Sequence, residues 1–490
     1  MSGTGVPFVR RSVWSLEATD PWDAVTSGYA DAVAAMQARP MTDPTSWAFQ
    51  AAIHGSYSPP PPGAAWNQCQ HASWFFFPWH RMYVYYFEQI VRQAVVAAGG
   101  PADWALPYWN YTAPGPANTL PPAFRQSTRQ VNGQPQPNPL YTTHRAAGVN
   151  QGAGLPARQT SYAYAFGFTN FTGLPTPSFG GGQAPPTHFS HFTGALENQP
   201  HNVVHDLLGG ATVGQCQGGW MSDPTCAAQD PIFWLHHSNI DRLWTNWLAQ
   251  HGGRANPTTR RWLTQKFTFY GADGKPVTMT AADVLDTVTQ LHYKYDDQPP
   301  RVAQQLRVRA AMTSTPPPPP AGPPRLVAAT DQAVSLTGNR TSVPLPLPAA
   351  ARGAVESLAA AQTPASHLVL NVEGIQAPDH PGGVYEVHVN LPSDADPATD
   401  DSFFVGTISF FGTGHHDPGE QPETGPGVSH SFDISGLVDT LRSEGRWDPS
   451  TATITFVAVG LTPPPGDTGT QYDITPASAP TIARVSLVSM

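Results

Sequence analysis

Up to about residue 300, aromatic and histidine residues gather in segments with helical spacing. Residues 80–98 contain no internal glycine or proline and run into Gly99-Gly100, which predicts a helix that stops there. A second helix is predicted from Asp230-Pro231, with Asp as the cap and Pro at the first helical position, through Trp244 and Trp247 to Gly252-Gly253. Residues 201–208, ending at Gly209-Gly210, read as a short helix. The stretch 112–186, rich in Pro, Gly and Asn, reads as loop.

The pattern changes after the proline run Pro316 to Pro324, which reads as a stiff, extended linker. Beyond it, His367 to Val372, Val384 to Leu391, Phe403 to Phe411 and Ala452 to Val459 are short β-rich runs separated by turn residues. That alternation suggests an antiparallel sandwich or barrel. The expected architecture is a mainly α, loop-rich domain over 1–302, a proline-rich linker over 303–325 and an all-β sandwich domain over 326–490.

Composition narrows the chemistry. The chain has 490 residues, ample for a large core, and charged residues are only 12% of it. A net charge of −10 without a basic block argues against nucleic acid and anionic membranes as partners. No apolar run reaches membrane-spanning length. Met1 to Arg11 lacks an apolar signal core, so a cytoplasmic location is expected, though export with a partner stays open. Cys69, Cys216 and Cys226 are too few for a disulfide framework; Cys216 and Cys226 are expected as two free thiols in a reducing compartment, although they could pair if the loop between them folds back.

The histidines carry the functional signal. His201 and His205 stand four apart on one face of the short helix, so both imidazoles can reach one ion. His71 and His80 flank the aromatic run Trp74 to Trp79, His236 and His237 lie inside the second helix, and His54 follows Trp47 on a helical stretch. A lone pair four apart is weak evidence. Imidazole-rich sites without thiolates or carboxylates suit copper, zinc or nickel. Candidate imidazoles that divide into two sets of three suit a binuclear site.

At these residues the chain resembles the tyrosinase and catechol oxidase (polyphenol oxidase) family of binuclear type-3 copper proteins. The stretch His71-Ala-Ser-Trp-Phe-Phe-Phe-Pro-Trp-His80-Arg81, followed by Glu88, resembles the first copper signature. Asp230-Pro-Ile-Phe-Trp-Leu-His236-His237-Ser-Asn-Ile-Asp241-Arg242-Leu-Trp resembles the second. The likeness covers about residues 8–300, including Leu106 to Asn110 and Tyr293-Lys-Tyr295, which is similar to the family's Tyr-x-Tyr end marker.

The resemblance implies a helix-bundle copper core. It implies that His54, His71 and His80 hold one copper ion and that His201, His205 and His237 hold the other, with His236 as the rival of His237. It implies a thioether between Cys69 and His71, against a buried free thiol. Arg10 or Arg11 would stack on Tyr293 and Tyr295. Asp241 would orient a ligand histidine, or else form a helix salt bridge. Glu197, four before His201, and Asn202, just after it, match positions that hold a water thought to accept the phenol proton; helix capping by Glu197 is the plainer role. Asp206 falls where relatives line the substrate entrance, and a carboxylate there would favour cationic amines; burial against backbone is the alternative. Phe410 or Phe411 would plug the site from the C-terminal domain.

The implied activity is oxidation of ortho-diphenols to ortho-quinones by O2, with ortho-hydroxylation of monophenols as an extension. The copper donor is unspecified. An ortho-aminophenol oxidase would carry the same motifs. A haemocyanin-like oxygen carrier is the alternative outside enzymes, although such units are usually strung into very long chains.

Overall fold

Two long helices form the frame of the N-terminal domain. One spans Phe76–Ala97, starting four residues before His80 because Pro78 fits the first turn, where no backbone N–H donor is needed. It ends as expected, with Gly99 in the left-handed conformation (φ 84). The other spans Pro231–Ala249; the Asp230 carboxylate accepts from Ile232 N at 3.0 Å and caps it. Arg145 grips the same carboxylate with two buried hydrogen bonds (2.7 and 2.6 Å), so the cap is itself anchored. Both helices are buried along most of their length, and their buried polar residues include His80, Arg81, Glu88, His236, His237 and Asp241. Helices Ala24–Gln37 and Trp47–His54 pack around them.

The short helix is less regular than expected. Glu197–Asn202 is a π-type turn in which Gln199 leaves helical geometry (φ −138, ψ 121), and the regular helix follows at Val203–Leu208. Pro200 lacks the N–H that a regular ladder would use there. His201 and His205 nevertheless share one face, across the junction of the two turns.

The computed structural model describes residues 5–173, 177–190, 193–250, 252–298, 324–347, 367–413, 427–447, 452–464, 466–467 and 479–490. The expected linker at 303–325 lies outside the described residues except for its last two. The C-terminal domain is an antiparallel sandwich. One sheet orders Val428–Asp433, Leu368–Gln376, Thr481–Ser489 and Arg325–Ala329, with Val334–Ser335 beside Thr481–Ser489. The other orders Phe404–Ile408, Val384–Val389, Thr453–Val459 and Arg340–Pro344. The four β-rich runs read from the sequence are all strands. Thr481–Ser489 was not foreseen although it is central, because Arg484 interrupts its alternation; its inward positions Ile482, Val485 and Leu487 are buried.

Three sequence expectations are settled by packing. Arg10, not Arg11, stacks on Tyr293, with its guanidinium carbon 3.7 Å from the ring centre. It also bonds Glu88 (2.6 Å), Asp241 (3.2 Å) and the Tyr295 hydroxyl (2.9 Å), all buried. Asp241 orients no ligand histidine: it receives Arg10, Arg81 and the hydroxyls of Tyr293 and Tyr295 (2.5 Å each). Burial raises its pKa, but Arg81 and Arg10 outweigh burial and hold it below the usual carboxylate range. Cys216 and Cys226 are paired in a disulfide instead of standing as free thiols. A tight backbone pair between Val213 and Cys216 and a turn from Asp223 to Cys226 bring the two sulfurs together.

Candidate metal centre

The histidines read from the sequence converge at the centre of the helical domain, all of them buried. In the first triad, His54 Nδ1 donates to Pro224 O (2.7 Å) and His80 Nδ1 donates to Phe76 O (2.8 Å). A carbonyl only accepts, so Nδ1 carries the proton and each Nε2 presents a lone pair. The Nε2 atoms of His54, His71 and His80 are buried without a hydrogen-bond partner. The three rings lie 5.1–5.6 Å apart, centre to centre.

The second triad has the same logic. His205 Nδ1 donates to Met221 O and His201 Nδ1 to Asn202 Oδ1, both at 2.7 Å. Their Nε2 atoms each stand 3.3 Å from Nε2 of His237. Nitrogens at about 2.0 Å from one tetrahedral ion would be about 3.3 Å apart. Lone pairs aimed at one another repel unless a cation lies between them, so the donor set fits a metal ion. His236, the rival of His237, stacks on the His201 ring (5.3 Å), and neither of its ring nitrogens has a hydrogen-bond partner.

The triads are adjacent: the rings of His80 and His237 stack at 4.5 Å and 16°. Two phenylalanines not foreseen as site residues join them. Phe76 touches His80 (4.6 Å) and His201 (4.7 Å), while Phe233 touches His237 (4.1 Å) and His54 (5.0 Å). Each stands four residues before a histidine of its own helix, which puts ring and imidazole on one face. Burial pushes the pKa of each triad histidine well below its ordinary value, which favours the neutral imidazole that a metal ion requires.

Glu197 does not cap its own helix. Its Oε1 accepts from Ala72 N at 2.6 Å, next to His71, while Oε2 is buried without a hydrogen-bond partner. Burial pushes its pKa up to about 8. Cys69 Sγ lies 3.2 Å from His71 Nδ1 and 3.0 Å from Nδ1 of His188, a neighbour the motifs did not mark.

With the C-terminal domain docked, Asp206 takes the buried alternative. Its carboxylate is buried and faces the C-terminal domain, accepting from His380 Nε2 (3.1 Å) and from Phe410 N (2.6 Å). Those bonds separate the two plug candidates. Phe410 packs inside the sandwich against Tyr385, whereas Phe411 enters the helical core. The Phe411 ring lies 4.3 Å from His205, 5.3 Å from His71 and 5.6 Å from His201. Phe189 stacks on His71 at 4.7 Å, and Gly412 is so close to it that a Cβ there would meet the Phe189 ring at 2.5 Å.

Comparison with known proteins agrees with this geometry. The common central domain of tyrosinase matches residues 44–250, the polyphenol oxidase middle domain matches 256–306, and a domain of unknown function (DUF7868) matches 323–465. A tyrosinase of Hahella sp. (strain CCB-MM4) is 34% identical over 473 residues, covering 90% of this chain and 92% of that protein. The latent form of a chloroplastic polyphenol oxidase from Prunus armeniaca is 31% identical over 288 residues, covering 56% of this chain and 47% of that one. The solved structure of latent apple tyrosinase shares the fold over 99% of this chain and 98% of its own, with a TM-score of 0.60 at 22% identity. The chain belongs to the tyrosinase and polyphenol oxidase family of binuclear copper oxidoreductases.

Proposed function

We propose that this chain oxidises ortho-diphenols to ortho-quinones with O2, using one copper ion held by His54, His71 and His80 and a second held by His201, His205 and His237. When bound, the two ions supply dioxygen with two electrons, one each, and recover them from the diphenol. The observation that carries the reading is the orientation of the imidazoles: Nδ1 of His54, His80, His201 and His205 is tied to an acceptor, and the Nε2 atoms of each triad converge.

The surrounding residues support the same chemistry. Phe76 and Phe233 keep water from the space between the triads and fix the ring planes. Asn202 holds His201, and the unpartnered oxygen of Glu197 supports proton transfer from a phenol hydroxyl once nearby bound cations favour its ionised form, which would extend the reading to monophenols. A thioether between Cys69 and His71 would fix that ring covalently, and their 3.2 Å approach supports it. Phe411 occupies the approach to the histidines, which supports a latent form that opens when the C-terminal domain is displaced.

The test is copper content and oxygen uptake with catechol, before and after cleavage between the domains. Two coppers per chain and quinone formation are expected, with His205→Ala losing one ion and all turnover. A His205→Ala variant that keeps both ions and full activity refutes the reading.

A further inference from the structure

The loop closed by Cys216 and Cys226 supplies two backbone carbonyls to the metal centre. Met221 O accepts from His205 Nδ1 and Pro224 O accepts from His54 Nδ1, each at 2.7 Å. One histidine of each triad is therefore oriented by the same loop. An imidazole held at Nδ1 aims its Nε2 wherever the acceptor places it, so any shift of the loop turns both rings.

The loop is packed to transmit such a shift. A Cβ on Gly55, next to His54, would meet Thr225 Cα at 2.5 Å, so residues 224–225 are wedged against the end of the helix that carries His54. The Asp223 carboxylate ties the loop to itself through Thr225 N (2.8 Å) and Gln217 N (3.0 Å), and to Tyr57 through its hydroxyl (2.7 Å). At the other end Cys216 sits in the tight pair with Val213, and Gly210 N donates to Gly218 O. The disulfide joins these two ends, and both carbonyls lie within its span of ten residues.

We propose that the Cys216–Cys226 disulfide is a positioning element for both copper sites, and that its reduction by a dithiol lowers the copper affinity of both together. In that step the dithiol gives two electrons and two protons. The S–S bond breaks, Cys216 and Cys226 become thiols, and the reductant closes to its own disulfide. His71, His80, His201 and His237 take no hydrogen bond from this loop, so each ion keeps two of its three ligands and binding weakens without vanishing. Loss of a partner that orients a ligand typically weakens metal binding about 10–100-fold.

The inference rests on the ligand assignment above, and the test separates the two. Full-length apo-protein is reduced with a dithiol and freed of it by gel filtration without oxygen; one portion is alkylated, so that its thiols cannot bind Cu(I), and titrated with Cu(I) against a competing chelator, and the other is reoxidised before the same titration. Alkylation and mass measurement count the thiols. Both dissociation constants should rise about 10–100-fold and recover on reoxidation. Cys216→Ser should behave the same without reductant, with melting of the apo-protein and its far-ultraviolet spectrum close to the parent. Unchanged affinity in fully reduced protein overturns the proposal, as does a loss at one site alone. Unfolding of both the reduced and the Cys216→Ser protein also overturns it, since the disulfide would then hold the fold and not the ligands. His54→Ala and His205→Ala enter the same titration. If they keep two full-affinity sites, the copper assignment itself fails; if they lose copper while the disulfide changes do nothing, only the present proposal falls.

Discussion

The ring of Phe411 lies over the imidazole of His205, 4.3 Å between centres and 30° between planes, although the two residues belong to different domains. Its neighbour Phe410 faces the opposite way, into the sandwich core. The backbone of Phe410 is held by Asp206 (2.6 Å) and opens a turn closed by Thr413 N (3.0 Å), so Phe410 anchors the tail while Phe411, inside the turn, enters the site.

Replacing the two rings should therefore have opposite consequences. Phe411→Ala in the intact chain should raise catechol turnover about tenfold or more. A buried phenyl ring is worth about 1.5–3 kcal/mol, and about 1.4 kcal/mol is a factor of ten. Phe410→Ala should instead lower the melting temperature of the C-terminal domain. Comparing initial rates and melting curves of the two variants checks both statements; equal rates for Phe411→Ala and parent would remove the plug.

Arg158 ties the helical domain to the sandwich. It bonds Glu386 through both carboxylate oxygens (2.9 and 2.8 Å), the carbonyl of Pro397 (2.8 Å) and the carboxylate of Asp401. Arg158→Ala leaves Glu386 paired with His388 and Gln159, so the sandwich should stay folded while docking weakens. Because the tether keeps the tail at high local concentration, the expected change is a several-fold rise in basal activity, not full release. Cutting between the domains should then reach the same final rate in variant and parent.

Arg10 is the buried cation shared by Glu88 and Asp241. Arg10→Met leaves part of that negative charge uncompensated and should destabilise the helical domain by about 3–5 kcal/mol, read as a lower denaturant midpoint. Arg11→Met, at an exposed position, should change little. Equal midpoints for the two variants would contradict the network described here.

Glu17 is buried, and burial pushes its pKa up to about 8 from an ordinary 4.5, against the hydrogen bond from Ala123 N. The folded state thus holds this proton more tightly than the unfolded chain. The resulting stability is complete below pH 4.5 and is lost as the pH rises through 8, at about 1.4 kcal/mol per pH unit across that window. Glu17→Gln should flatten this slope and be more stable than the parent above pH 8. Melting temperatures from pH 5 to 9 test it, with parallel curves as the contrary result.

The two long helices were legible from the sequence because their signals are local. Asp230-Pro231 provides a cap and a preset first turn, and Gly99 provides a left-handed stop. The pairing of His201 with His205 was legible because four-residue spacing is also a helical property, while the other histidines of the cluster came from the family motifs. The strand-rich tail followed from alternation, except where Arg484 broke it in a strand whose place is set by its neighbours.

The remaining choices depended on partners distant in the chain. Arg10 was separated from Arg11 by Glu88, Asp241 and Tyr293, as many as 283 positions away. His237 differs from His236 in that its Nε2 meets Nε2 of both His201 and His205, which no local signal could foretell. Asp206 could have faced solvent on the evidence of its position after His205; only the docked sandwich buries it against His380 and Phe410 N. Local spacing determines which side chains share a helix face. It carries no information about which other surface covers that face, and in this protein the covering surface decides what reaches the histidines.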